Sequence, residues 1–188
     1  LPSSVKLICE AGTGYNNVDL EACSKRGVCL SNVPTYATEA MAHMAITALM
    51  ACSCSLWQQA AAFGCGDFQY LEQCHPGDLT HVELHGKTLG LVGGLGTIGK
   101  RVAAIASALG MKVVASSSRM AAIGQQGDVT VVSLDELLET SDFVSIHCPL
   151  NANTKGLIGR VELARMKPTA FLINTARGSI IDQDALVE

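Results

Sequence analysis

Three runs of residues in this 188-residue sequence have types and spacing that could do chemistry. The first is "GLGTIG", with Gly94, Gly96 and Gly99 in a G-x-G-x-x-G pattern. It follows an apolar strand-like run, "KTLGLVG", and opens a helix-like one. That context, rather than the glycines alone, points to a phosphate-binding turn. Gly94 suits a tight turn, Gly96 lets backbone approach a pyrophosphate, and Gly99 lets the helix pack closely on the strand. Thr97 and Ile98 lie at the start of that helix, whose free N–H groups and partial positive charge favour an anion. The chemistry implied is dinucleotide binding.

The second run is "MKVVASSSR", whose end should meet the adenosine ribose. An NAD site usually carries Asp or Glu there. Here Ser117 stands in that place, followed by Ser118 and Arg119. With no carboxylate to repel a 2′-phosphate, NADP(H) is favoured, and NAD(H) is the alternative. The third run is "INTARG". It ends an apolar strand on Arg177, where open α/β sheets bind ligands. A guanidinium can grip a carboxylate through two parallel hydrogen bonds and polarise an adjacent carbonyl. A glycine loop near the amino end, "AGTG" at residues 11–14, offers backbone amides of the kind that bind anions.

Other residues fail as sites. His81 and His85 flank Glu83 in "HVELH", which misses the zinc-protease spacing, and no metal is expected. His147 ends the strand "FVSIH" and reads as a satisfied core histidine. The eight cysteines show no C-x-x-C. They read as reduced thiols of a cytoplasmic protein, with Cys9 and Cys148 packed as small hydrophobes in strands. A net charge of −4 and a pI near 5.7 argue against nucleic-acid or polybasic membrane binding.

The elements that must position these residues follow from periodicity. Residues 5–10, 19–26 and 27–34 read as a buried strand, a short helix and a second strand. One long Ala-rich helix is expected from residue 37 to 63, buried on most sides and too rich in Ala, Ser and Cys for a membrane span. Residues 64–86 read as an irregular arm. From Lys87 onward, apolar strands alternate with helices. "SLDELLET" carries a capping box at Ser133 and Glu136, and Arg177 follows the fourth strand. The fold class is α/β, a doubly wound parallel sheet covered on both faces.

Together the runs "AGTGYNNVD", "SNVPTYATEAMA", "GKTLGLVGGLGTIGKRVA", "DFVSIHCPLNANTKGLIG" and "MKPTAFLINTARGSIIDQDAL" resemble the D-isomer-specific 2-hydroxyacid dehydrogenase family. "NVPTYAT" and "DFQY" lean toward its glycerate dehydrogenase, or hydroxypyruvate reductase, group. The resemblance implies a Rossmann-like NAD(P)-binding domain over residues 34–188, incomplete at its end. It makes residues 1–33 the remnant of a flavodoxin-like substrate domain, and 37–86 a homodimerisation helix and arm. Leu1 opens directly into a strand, so the chain is expected to be cut from something longer.

By resemblance, Arg177 is the substrate-binding catalytic arginine. Ala11, Gly12 and Thr13 hold the substrate carboxylate through their amides, with Thr13 also near the cofactor. Thr38, Cys148, Pro149, Thr175 and Ala176 line the cofactor. The family's acid/base histidine and its glutamate partner have no counterpart here, and position 97, often Arg in the family, is Thr. The expected activity is hydride transfer between NAD(P)H and a small 2-oxo acid such as hydroxypyruvate or glyoxylate, poor or absent in this chain alone. The alternative is an inactive, dimeric, corepressor-like nucleotide-binding module.

Overall fold

The computed structural model describes residues 1–64, 81–117 and 124–188. Strand β1 (Leu7–Cys9), helix α1 (Leu20–Lys25) and strand β2 (Cys29–Ser31) form a small parallel β-α-β unit. Asp19 caps α1 by accepting from the Ala22 N–H at 2.9 Å. Gly27, at φ 64°, ends it with the Val28 N–H reaching back to Cys23 O. The expected buried strand is in fact exposed. Leu7 is 55% accessible and Cys9 is exposed, because a two-stranded sheet has too little surface to cover its own faces.

The second unit is a six-stranded sheet in the order β5-β6-β4-β3-β7-β8. Its strands are β3 (Thr88–Val92), β4 (Lys112–Ser116), β5 (Gly124–Gln126), β6 (Val129–Val131), β7 (Phe143–Ile146) and β8 (Phe171–Asn174). All neighbours pair in parallel except β5 with β6. β5 and β6 were not expected, since three residues are too few to show a period. Arg177 therefore follows the fifth parallel strand, not the fourth.

The parallel strands are continuously apolar because both sheet faces are covered. On one face, Leu89, Leu91, Val113, Phe143 and Ile173 pack against α2 (Thr38–Ser53) and α4 (Thr97–Ala108). Here Phe143 and Phe171 stack at 5.3 Å. On the other, Val92, Val144 and Ile146 pack with Leu137 and Leu138 of α5 (Leu134–Thr140). A Cβ on Gly90 would fall 2.6 Å from Leu137 Cδ2, so glycine lets α5 sit directly on β3. Ser133 Oγ caps α5 by accepting from the Glu136 N–H. Helices α6 (Arg160–Arg165) and α7 (Gln183–Val187) complete the described chain.

At the amino end of the central strands, Asp142 accepts from the Thr88 N–H at 2.8 Å and from Lys167 at 2.9 Å. Burial pushes its carboxyl up, but those two partners outweigh burial and hold it below the usual range.

The single Ala-rich helix is two. α2 ends at Ser53, α3 runs Leu56–Gly64, and the pair bends by 72°. The break lies at Ser55, in the left-handed region at φ 50°. Ser53 Oγ donates to Met50 O, a bond that competes with the helix ladder. The Val82 N–H then takes the Ser53 carbonyl that the break frees. The helices are not buried on most sides either. α2 buries one face, through Ala42, Ala45, Ile46 and Leu49, while Met44, Leu56, Trp57 and Phe63 are exposed. Among the described residues no single helix is long and apolar enough to cross a membrane. Most of the expected arm, residues 65–80, lies outside the described residues.

Candidate active site

A cleft of about 500 Å³ opens between the glycine loop of the first unit and the carboxyl ends of β3, β7 and β8. The loop contributes Gly12, Thr13, Gly14 and Asn16. Thr38 enters from the start of α2 and Ile98 from the start of α4. Beyond β7 come His147, Cys148 and Pro149, and beyond β8 come Thr175, Ala176 and Arg177. Residues up to 165 positions apart in sequence therefore share one wall-to-wall space.

The glycines of the turn between β3 and α4 divide their roles differently from the expectation. The left-handed residue is Gly93, at φ 80°, one position before the motif. A Cβ on Gly94 would meet Leu91 Cβ at 2.6 Å and Ala115 Cβ at 2.8 Å, so Gly94 serves close packing. A Cβ on Gly99 would lie 2.5 Å from Gly94 O, so Gly99 lets α4 sit closely on the turn, where the expected contact was with the strand. Gly96 is different. Its Cβ would meet nothing nearer than Gly93 O at 3.5 Å. Gly96 is the N-cap of α4 and offers no side chain to the free N–H groups behind it. That open, uncapped helix start is a fitting cradle for a dinucleotide pyrophosphate. A second mark of fit is Thr175 Oγ1, which is buried and has no hydrogen-bond partner among the described residues. Ser117 lies one residue past β4. Ser118 and Arg119 lie outside the described residues.

Arg177 is held by neutral groups. Its Nε donates to Asn16 Oδ1 at 3.2 Å and its Nη1 to Ala176 O at 2.9 Å. Asn174 Nδ2 donates to Arg177 O at 2.9 Å and so fixes the backbone beneath it. Among the described residues no carboxylate forms an ion pair with Arg177. An exposed guanidinium at a cleft has the chemistry to receive an anion.

The glycine loop is less open than expected. The Gly12 N–H already donates to Glu10 Oε1 at 3.0 Å. The Thr13 hydroxyl donates to Val33 O at 3.0 Å, and Asn32 holds Thr13 O. Gly12 and Thr13 line the cleft, whereas Ala11 does not.

His147 also faces the cleft. Its Nε2 shares a 2.9 Å hydrogen bond with Ser145 Oγ, and burial depresses its pKa from 6.5 to about 4. It is a neutral imidazole near pH 7. Burial likewise pushes the Cys148 thiol up, away from the thiolate form. His85 is elsewhere, its ring lying against Gly110. Gly14 was singled out only as part of the 11–14 turn and Asn16 not at all; nothing in local spacing links either to a residue more than 160 positions away.

The family description "D-isomer specific 2-hydroxyacid dehydrogenase, NAD binding domain" matches residues 47–188. The chain belongs to this family. It is 37% identical over 186 residues to the glyoxylate reductase of Thermococcus litoralis, covering 98% of this chain and 56% of that one. It is 35% identical to the hydroxypyruvate reductase of Thermotoga maritima, covering 98% and 58%. The NAD-dependent formate dehydrogenase of Staphylococcus aureus, solved in complex with NAD, superposes with a TM-score of 0.88 at 31% identity, covering 98% and 54%. The chain thus spans little more than half the length of these family members. The match begins at residue 47, inside α2, and takes in the phosphate turn and the Arg177 turn.

Proposed function

We propose that this chain supplies the nucleotide cradle and the substrate arginine of an NAD(P)-dependent D-2-hydroxyacid dehydrogenase acting on hydroxypyruvate or glyoxylate. The observation that carries the reading is Arg177, an exposed guanidinium lying against the glycine loop at a cleft that also reaches the uncapped start of α4, with no ion-pair partner among the described residues. Residues 34–188 form the nucleotide domain and residues 1–33 belong to the substrate domain.

The N-terminal N–H groups of α4, at Thr97 and Ile98, would hold the pyrophosphate. Ser117 would meet the ribose, and Thr38, Cys148, Pro149, Thr175 and Ala176 would flank the rest of the dinucleotide. When bound, a reduced nicotinamide supplies the hydride. NADP(H) is preferred, on the serine at position 117 and the guanidinium of Arg119. Arg177 pairs with the carboxylate of the 2-oxo acid and polarises the neighbouring carbonyl. Gly12 and Thr13 offer the facing amides, with the Gly12 N–H exchanging Glu10 for the substrate.

The forming alkoxide needs a proton. His147 is unsuited to give it, being neutral at pH 7. The proton is assigned to a group other than His147. The exposed Met44, Leu56, Trp57 and Phe63 support a homodimer through α2 and α3. The six described cysteines are free, in keeping with a reducing cytoplasm.

The test is nucleotide binding followed by anion binding. NADPH fluorescence is titrated with this chain, then oxalate, an unreactive 2-oxo acid analogue, is added. Expected is tight NADPH binding and an oxalate response that Arg177→Met abolishes. No nucleotide binding in a folded sample, or an oxalate response indifferent to Arg177, overturns the reading.

A further inference from the structure

We propose that Asn16 is a positioning residue that fixes the guanidinium of Arg177 against the glycine loop by tying both to the Leu150 carbonyl. The inference rests on the reading that Arg177 receives the substrate carboxylate. Its ground is one amide with two long-range bonds. Asn16 Oδ1 accepts from Arg177 Nε at 3.2 Å, and Asn16 Nδ2 donates to Leu150 O at 3.1 Å. Among the described residues, these are the hydrogen bonds recorded between residues 1–33 and the remainder of the chain. One side chain thus links the glycine loop to the segments that follow β7 and β8.

The chemistry requires an amide. Rotating it by half a turn would face NH2 against the Nε–H and oxygen against the Leu150 carbonyl, losing both bonds. The orientation is therefore unique. A carboxylate there would still accept from Nε. It would also confront Leu150 O with lone pairs and neutralise the guanidinium that the substrate needs. Asparagine orients the charge without consuming it.

The arrangement also selects the approach. With Nε engaged by Asn16, the edge formed by Nε and one Nη is closed to a carboxylate. What remains is the end of the fork, formed by Nη2 and the one N–H of Nη1 that is not given to Ala176 O. Nη2 lies beside Gly14, where a Cβ would overlap it. A substrate carboxylate is thus directed end-on to Arg177, beside the loop amides. Asn16 itself is exposed, so its removal leaves the packed cores untouched.

The experiment compares wild type with Asn16→Ala, Asn16→Asp and Asn16→Gln, all as the NADPH complex. Three quantities are read: oxalate affinity, the Arg177 Nε–H resonance in a ¹⁵N–¹H spectrum, and the thermal midpoint. Asn16→Ala should weaken oxalate about tenfold, the effect of losing a hydrogen bond to a charged group. It should also shift the Nε–H resonance and leave the midpoint in place. Asn16→Gln, with the same groups at the wrong reach, should do the same. Asn16→Asp should keep the Nε–H contact and weaken oxalate further. Oxalate binding within twofold of wild type in the alanine variant, with the Nε–H resonance unmoved, overturns the proposal. Arg177→Met separates the two ideas. If it abolishes oxalate binding while the Asn16 variants do not, the positioning role alone fails. If it leaves binding intact, the substrate reading fails as well.

Discussion

Arg177 Nη2 occupies the space that a side chain on Gly14 would need. The two residues are 163 positions apart, yet glycine at one is a condition for the guanidinium at the other. Gly14 is not in the left-handed region, so its backbone accepts alanine. Gly14→Ala should therefore displace the guanidinium and little else. We expect oxalate binding to fall by about tenfold or more, the range for losing an oriented charged contact. Stability should stay within about 0.5 kcal/mol, as for surface changes generally. Calorimetric titration and a urea melt on the same sample check both halves. Unchanged oxalate affinity would mean that Arg177 has other usable positions.

The glycines of the phosphate turn should separate stability from binding. Gly99→Ala places a methyl 2.5 Å from the Gly94 carbonyl, a backbone atom that has no room to retreat. It should cost about 1–3 kcal/mol through overpacking, exceeding the helix-propensity gain of alanine. Gly96→Ser should do the reverse. The space at Gly96 is open, and a serine there would cap α4 with its own hydroxyl. Stability should hold or rise slightly while NADPH affinity drops, since the hydroxyl occupies the N–H groups meant for phosphate. Urea melts and NADPH titrations of both variants provide the comparison. A Gly96→Ser variant that binds NADPH normally would remove the pyrophosphate from that turn.

His147 makes stability depend on pH in a stated direction. Its folded pKa, about 4, lies below the ordinary 6.5. Between those values the unfolded chain binds the proton and the folded chain does not. Stability is therefore complete above about pH 6.5 and is lost as pH falls toward 4. The loss is at most about 3.5 kcal/mol, at about 1.4 kcal/mol per pH unit over the interval from 6.5 to about 4. His147→Gln keeps a partner for Ser145 Oγ and cannot titrate. Urea midpoints at pH 7 and pH 5 should converge for the variant and differ for wild type. Equal pH slopes for the two proteins would show that His147 is not the group responsible.

The sequence alone determined the alternation of strand and helix, the glycine turn between them, and the arginine beyond a strand. These are local properties. A continuous apolar run marks a strand covered on both faces, and a glycine pattern marks a turn, wherever the rest of the chain goes. It also misled where local signals were weak or competing. Three-residue strands such as β6 carry no period, and the Ala-rich run hid the break at Ser55, whose hydroxyl and thiol neighbours are ordinary helix residues in composition.

Only the tertiary structure decided which partners the site residues have. Gly12 gives its amide to Glu10, Gly93 takes the left-handed turn, burial holds His147 neutral, and Asn16 bridges Leu150 to Arg177. Each depends on groups brought together by the closing of a cleft or the stacking of a strand. Hydrogen bonds and desolvation act over a few ångströms, and over that range the order of residues along the chain says little about which side chains meet.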